Sequence, residues 1–278
     1  LGTSPQQRSS TDPFRNEMLR IEAASGGRLG VAVLDTHDGT AFSHRANERF
    51  PMCSTFKTLA AAHVLARVDQ RLERLDRRVQ VRAADLVAHS PSTKLRADGE
   101  PMSIGELCEA TTTLSDNAAA NLLLETLGGP AGLTAFLRGL GDTVTRLDRN
   151  EPTLNSARPG DPRDTTSPVA MLETMRKLTL GTTLSTASRA QLVQWLVDNK
   201  TGGARLRAGM PAGWRVGDKT GTGANGTTND VGVIWPPGRA PVLVTAYLTG
   251  SSASADVREG ALADVGRLVA SMVSAKAA

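Results

Sequence analysis

The order of elements along the chain predicts a two-lobed α/β fold, in which one mostly antiparallel sheet with flanking helices packs against a helical lobe. Three observations carry this reading. Strand-like runs occur only towards the two ends, helix-like runs fill the middle, and one of those helices is too apolar to face solvent. A doubly wound parallel sheet is the alternative, disfavoured because strand and helix do not alternate through the centre. With 278 residues and 40% apolar composition the chain can bury a full core.

The first helix begins near Phe14, where Phe14, Met18, Leu19 and Ile21 cover one face, and Gly26-Gly27 ends it. Residues 29–34 read as a short apolar strand, and Thr36-His37-Asp38-Gly39 turns it into a second strand at 40–43, a hairpin. From 55 to 68 the chain becomes an Ala-rich helix in which Leu59, Ala60, Ala62, His63, Val64 and Leu65 cannot all face water, so it is expected to be central and buried. Helical patterns follow at 103–113, 117–127, 131–140, 167–178 and 185–197, separated by glycine pairs and prolines. Strand character returns at 214–219, 230–235 and 242–248, and a helix over 256–273 closes the chain. The end segments 14–50 and 203–276 are therefore assigned to a discontinuous α/β lobe, and 51–202 to a mostly helical lobe that includes an irregular stretch at 149–164. A groove between the lobes is the default site.

Composition narrows the function. Lys+Arg 32 against Asp+Glu 28 gives +4, but the signs alternate, as in Arg71-Leu72-Glu73-Arg74-Leu75-Asp76-Arg77, and aromatics are only 3%. A nucleic-acid partner, which needs a coherent basic stripe with stacking rings, is not expected. No apolar run is long enough for a membrane span. His37, His44, His63 and His89 do not cluster with cysteines or carboxylates at zinc-ligand spacing, so no metal and no cofactor are expected. Cys53 and Cys108 lie in apolar surroundings, compatible with a disulfide or with two buried thiols. The opening Leu1-Gly2-Thr3-Ser4-Pro5 has no basic apolar leader, as in a cytoplasmic protein or a mature exported one.

Four short patterns could carry chemistry. Ser54 and Lys57 sit three apart at the start of the buried helix, a spacing that would bring the amine within reach of the hydroxyl. Ser-x-x-Lys alone also describes an N-cap serine and a surface lysine, but a lysine leading into an Ala-Leu helix needs partners for its charge. Ser115-Asp116-Asn117 could supply them, and it is equally what a helix start requires. In that arrangement Ser115 would relay a proton, Asn117 would clamp a substrate, and Asp116 would tie down backbone groups. In Lys219-Thr220-Gly221-Thr222-Gly223, just past a strand, glycine lets a ligand lie against the backbone while lysine and the threonines receive a carboxylate; an ordinary β-turn is the plainer reading. Glu151 and Asn155, four apart in the irregular stretch, could hold one water, with Arg149 and Asp164 closing that loop as an ion pair.

Together these patterns resemble something none of them specifies alone. Ser54-x-x-Lys57, Ser115-Asp116-Asn117, Glu151-x-x-x-Asn155 and Lys219-Thr220-Gly221 occur in the order and at about the separations seen in class A serine β-lactamases, and the resemblance covers essentially the whole chain. It implies a five-stranded antiparallel sheet with flanking helices joined to an all-helical lobe. It implies Ser54 as nucleophile, the backbone N–H groups of Ser54 and Thr222 as oxyanion hole, Lys57 as proton-transfer partner and Ser115 as relay to the lactam nitrogen. Glu151, helped by Asn155, would activate the deacylating water. Asn117 would bind the substrate's side-chain amide, and Lys219, Thr220, Gly221 and Thr222 the region of its carboxylate. The only partners implied are small-molecule β-lactams, penicillins and cephalosporins among them. The resemblance further implies a monomer exported to the periplasm or beyond the cell.

Departures from the family pattern are informative. Thr228 stands where many members place a carboxylate-binding arginine, and Arg205 stands where others supply a substitute, so Arg205 is expected to reach the same pocket. Gly223 and Ala61 occupy the partner positions of two disulfides found in the family, opposite Cys53 and Cys108, so neither bridge is expected. His89 matches an aromatic residue at the groove mouth. The rivals are a penicillin-recognising D,D-peptidase, which the Glu151 and Asn155 pair argues against, and an inactive sensor domain, which would acylate once without turnover.

Overall fold

The computed structural model describes residues 12–275. The polar opening segment and residue 276, the last of the expected α/β lobe, lie outside the described residues. In chain order the elements are α1 (Pro13–Ser25), β1 (Arg28–Asp35), β2 (Ala41–His44), β3 (Phe50–Pro51), α2 (Phe56–Asp69), β4 (Arg78–Val79), β5 (Met102–Ser103), α3 (Ile104–Thr113), α4 (Asn117–Thr126) and α5 (Gly129–Gly139). They continue as β6 (Thr165–Thr166), α6 (Pro168–Thr179), α7 (Thr186–Val197), β7 (Arg215–Gly223), β8 (Thr227–Trp235), β9 (Val242–Thr249) and α8 (Ala255–Ala275). The two-lobed arrangement follows from that order.

The main sheet runs β2-β1-β9-β8-β7, with every neighbouring pair antiparallel. Its two faces bury different cores, and the period-2 alternation of a strand decides which residue goes where. In β9, Val244, Ala246 and Leu248 pack with Phe14, Met18 and Ile21 of α1 and Leu262, Val265 and Val269 of α8. Leu243 and Tyr247 face the opposite way, into the core built around α2. That α2 core also takes Leu107 of α3, Leu123 of α4, Leu133 of α5, Met171 of α6 and Leu192 of α7. The 40% apolar composition is thus spent on two cores sharing one sheet.

Helix starts are specified locally. Asp12 caps α1 by accepting from Phe14 N, Ser103 and Glu106 form a reciprocal capping box on α3, and Asp116 caps α4 through Ala119 N. Ser167 and Ser185 cap α6 and α7 in the same way.

Three details differ from the sequence reading. The helix expected from residue 55 is preceded by a tight 3-10 turn over Cys53–Thr55, and α2 proper begins at Phe56. Strand β7 runs on to Gly223, beyond the expected end at residue 219, so Lys219 is a strand residue as expected and Thr220, Gly221 and Thr222 continue the strand instead of forming a β-turn. Two small ladders, β3 with β6 and β4 with β5, pair segments too short to show any alternation. Cys53 and Cys108 are both buried free thiols, which decides between the two alternatives. Among the described residues no helix is long and apolar enough to cross a membrane.

Candidate active site

Ser54 lies on the 3-10 turn between β3 and α2, against the edge strand β7. Its preceding residue, Cys53, holds a left-handed φ of 47°, an uncommon conformation for a side-chain-bearing residue. Two glycines let β7 approach this turn. A Cβ at Gly221 would come within 2.6 Å of Met52 O, and one at Gly223 within 2.5 Å of Cys53 Sγ. Gly221, expected to leave room for a ligand, therefore leaves room for the protein's own backbone. Asn229 on β8 completes the contact, its Nδ2 donating to Pro51 O and Met52 O at 2.9 and 3.1 Å.

Lys57, on the first turn of α2, is fully buried. Its Nζ donates to Ser115 O at 2.8 Å, Asn117 Oδ1 at 2.5 Å and Ser115 Oγ at 3.2 Å, and lies 3.2 Å from Glu151 Oε1. Burial pushes its pKa below the usual lysine range, and the Glu151 carboxylate opposes that shift. The Ser54 hydroxyl is hydrogen-bonded to Glu151 Oε1 at 3.5 Å rather than to Lys57. Lys57 Nζ is directed instead to Ser115, Asn117 and Glu151.

Ser115 sits at a left-handed φ of 58° just before α4. Its Oγ receives both Lys57 Nζ and Lys219 Nζ, at 3.2 and 3.1 Å. Lys219 is also fully buried, and desolvation first, then repulsion from Lys57, holds its pKa well below the ordinary value. Two buried lysine amines thus meet at one hydroxyl. Asp116 turns away from this centre, accepting from Ser92 N, Thr93 N and Thr93 Oγ1, and so docks the 88–93 loop onto α4. His89 on that loop takes Leu114 O at 2.9 Å, and Asn117 Nδ2 donates to Ala88 O.

The 149–164 segment is closed at its base by Arg149 and Asp164, 2.6 Å apart, with Asp164 also accepting from Asp148 N and Arg149 N. Glu151 is fixed from outside the segment: Asn121 of α4 accepts from Glu151 N and donates to Glu151 O, both at 2.9 Å. Across the following turn, Asn155 Nδ2 donates to Glu151 Oε2 at 2.5 Å, while the buried Asn155 Oδ1 has no protein partner.

Arg205 is 6% exposed and donates to Gly221 O, Asn229 O and Thr222 Oγ1, with Glu259 of α8 at 3.3 Å. Thr228 instead accepts from Arg258 of α8. A groove of about 260 Å³ gathers Ser54, His89, Ser115, Asn117, Asn155, Arg205, Thr220 and Thr222, together with Thr201. Lys57, Glu151, Lys219 and Gly221 lie behind this lining. Thr201, Asn121 and Asn229 escaped the sequence reading, because single polar residues outside a motif give no signal until the fold brings them together.

Known proteins resemble this chain along most of its length. Residues 13–273 match the model of the beta-lactamase enzyme family. The chain is 48% identical to beta-lactamase CTX-M-8 of Citrobacter amalonaticus over 269 residues, 97% of this chain and 92% of the relative. The chain belongs to the class A β-lactamases. It is 51% identical over 253 residues to beta-lactamase L2 of Stenotrophomonas maltophilia, covering 91% of this chain and 83% of the relative. The solved structure of an ancestral class A β-lactamase superimposes with a TM-score of 0.92 at 64% identity, covering 93% of this chain and 99% of that one. This β-lactamase is accordingly a serine enzyme that hydrolyses β-lactams, and the five-stranded sheet with its helical lobe is the class A fold.

Proposed function

We propose that this β-lactamase opens penicillins and cephalosporins through an ester on Ser54 and releases the product with a water activated by Glu151. The observation that carries the reading is the continuous contact chain from Ser54 Oγ through Glu151 and Lys57 to Ser115 and Lys219. In acylation Ser54 Oγ bonds to the lactam carbonyl carbon and its proton passes to the Glu151 and Lys57 pair. The backbone N–H groups of Ser54 and Thr222 receive the developing oxyanion. As the ring C–N bond breaks, Ser115 hands a proton to the departing nitrogen and receives one from Lys57, which passes on the proton taken from Ser54. A water held between Glu151 and the free Oδ1 of Asn155 then attacks the ester, giving a proton to Glu151, which returns it to Ser54 Oγ as the acyl C–O bond breaks.

Binding groups surround this centre. Lys219, Thr220, Thr222 and Arg205 take the ring carboxylate, Asn117 takes the side-chain amide with its second N–H, and His89 stands at the mouth. The enzyme acts as a monomer, exported from the cell that makes it.

A chromogenic cephalosporin tests the reading. The wild-type protein is expected to give many turnovers per molecule, and Ser54→Ala none, at an unchanged melting temperature. Acid-quenched mass spectrometry is expected to place the acyl group on Ser54; an adduct on another residue, or turnover by Ser54→Ala, would refute the assignment.

A further inference from the structure

We propose that Thr201, backed by Asn199, sets the affinity for the substrate carboxylate by competing for the hydroxyl proton of Thr220. The inference rests on the reading that Thr220 binds that carboxylate. Thr201 follows α7 and lines the groove beside Thr220, their hydroxyl oxygens 2.5 Å apart. Behind it, Asn199 is buried and presents one atom to two groups of Thr201: the backbone N–H at 3.1 Å and Oγ1 at 2.9 Å. A backbone N–H can only donate, so the facing atom is the amide oxygen, and the orientation of the amide is fixed. Its Nδ2 is left buried without a partner, so no donor on Asn199 competes for Thr201.

The direction of every proton follows. An amide oxygen carries no hydrogen, so Thr201 must donate its single hydroxyl proton to Asn199. The short contact with Thr220 then needs a proton from Thr220. In this state the Thr220 hydroxyl points away from the groove and offers only lone pairs to an incoming carboxylate. To hold the carboxylate, the chain must reverse: Thr201 turns its proton from Asn199 to Thr220, and Thr220 turns its own to the ligand. Asn199 Oδ1 keeps only the Thr201 backbone N–H. A full negative charge, assisted by Lys219 and Arg205, offsets this loss; a neutral polar group does not. Thr201 and Asn199 are thus positioning residues that make the groove selective for an anion.

The two residues make opposite predictions when altered. Thr201→Val removes the competing acceptor, so kcat/KM for benzylpenicillin is expected to rise about three- to tenfold, the size of one hydrogen bond's net worth, through a lower KM rather than a higher kcat. Asn199→Asp, a stronger acceptor, is expected to lower kcat/KM by a similar factor, and Thr201→Ser to leave it unchanged. Thr201→Ala provides the same test as Thr201→Val should the branched side chain not fold. Inhibition by a boronic acid that lacks a carboxylate, which binds at Ser54 alone, is expected to be equal in all of them, whereas general damage to the groove would weaken it. Thr220→Val separates the premises: an unchanged KM there would remove Thr220 from carboxylate binding and the inference with it. A raised KM in Thr220→Val, accompanied by a raised or unchanged KM in Thr201→Val and Thr201→Ala, would overturn the inference while leaving the role of Thr220 in place.

Discussion

Asn155 Nδ2 donates to Glu151 Oε2 at 2.5 Å, which leaves Oε1 of the same carboxylate facing Ser54 Oγ at 3.5 Å and Lys57 Nζ at 3.2 Å. One oxygen is fixed by the loop and the other is aimed at the nucleophile. In the proposed mechanism Asn155 both holds the base and receives the water, so Asn155→Ala should reduce deacylation. A charge-assisted hydrogen bond is worth about 1.5–3 kcal/mol, which sets a fall of about ten- to hundredfold in kcat. Rapid-quench kinetics would show it as a slower steady state with the acylation burst retained.

The hydroxyl of Ser115 is the common partner of two buried lysines. Without it Lys57 keeps three other contacts, but Lys219 keeps only Thr220 O among its hydrogen bonds. Ser115→Ala is therefore expected to lower stability by about 1–3 kcal/mol, the cost of an unsatisfied buried donor, as well as slowing acylation. Urea unfolding of the variant checks the first part.

Arg205 directs its five guanidinium N–H groups at Gly221 O, Asn229 O, Thr222 Oγ1 and Glu259, so a direct bond to an anion is made by releasing one of the two 3.3 Å contacts with Glu259, the longest of the set. Arg205→Ala is expected to lose about 1.5–3 kcal/mol of transition-state binding, read as kcat/KM for substrates bearing the ring carboxylate. Arg205→Lys should not restore it, since an ammonium cannot reproduce the planar fork. Equal kcat/KM in wild type and Arg205→Ala would remove the residue from binding.

His63 adds a pH dependence away from the site. Its ring stacks on Phe136 with centroids 4.3 Å apart, and burial, with Arg67 nearby, lowers its pKa to about 4 from 6.5. The folded state thus favours the neutral ring. Its contribution is complete above the unfolded value of about 6.5 and is lost as pH falls towards 4. Unfolding at pH 7 and pH 4.5 should show a larger acid-induced loss in wild type than in His63→Phe, which cannot protonate.

Much of this was legible in the sequence, and the misses have physical causes. The hairpin, the apolar helix and the caps at Ser115-Asp116-Asn117 are local patterns, and the Arg149 and Asp164 pair follows from a loop that must be closed. The Ser54 and Lys57 contact is absent because Lys57 Nζ is taken up by Ser115, Asn117 and Glu151, which come from segments that the spacing of the pair does not reveal. The anchoring of Glu151 by Asn121 and the Thr201 chain join residues from distant segments, which spacing along one chain cannot show.

In the proposed mechanism Glu151 serves the water that frees Ser54, and intact-mass spectrometry of Glu151→Ala during turnover of a good penicillin separates this role from a purely structural one. Acylation can still draw on Lys57, Ser115 and the backbone N–H pair, whereas the Asn155 amide is no base at neutral pH. The expected result is nearly complete conversion to a Ser54 acyl-enzyme, with release slowed at least about 10²- to 10⁴-fold. Mostly free enzyme during turnover, or release at the wild-type rate, would remove Glu151 from deacylation.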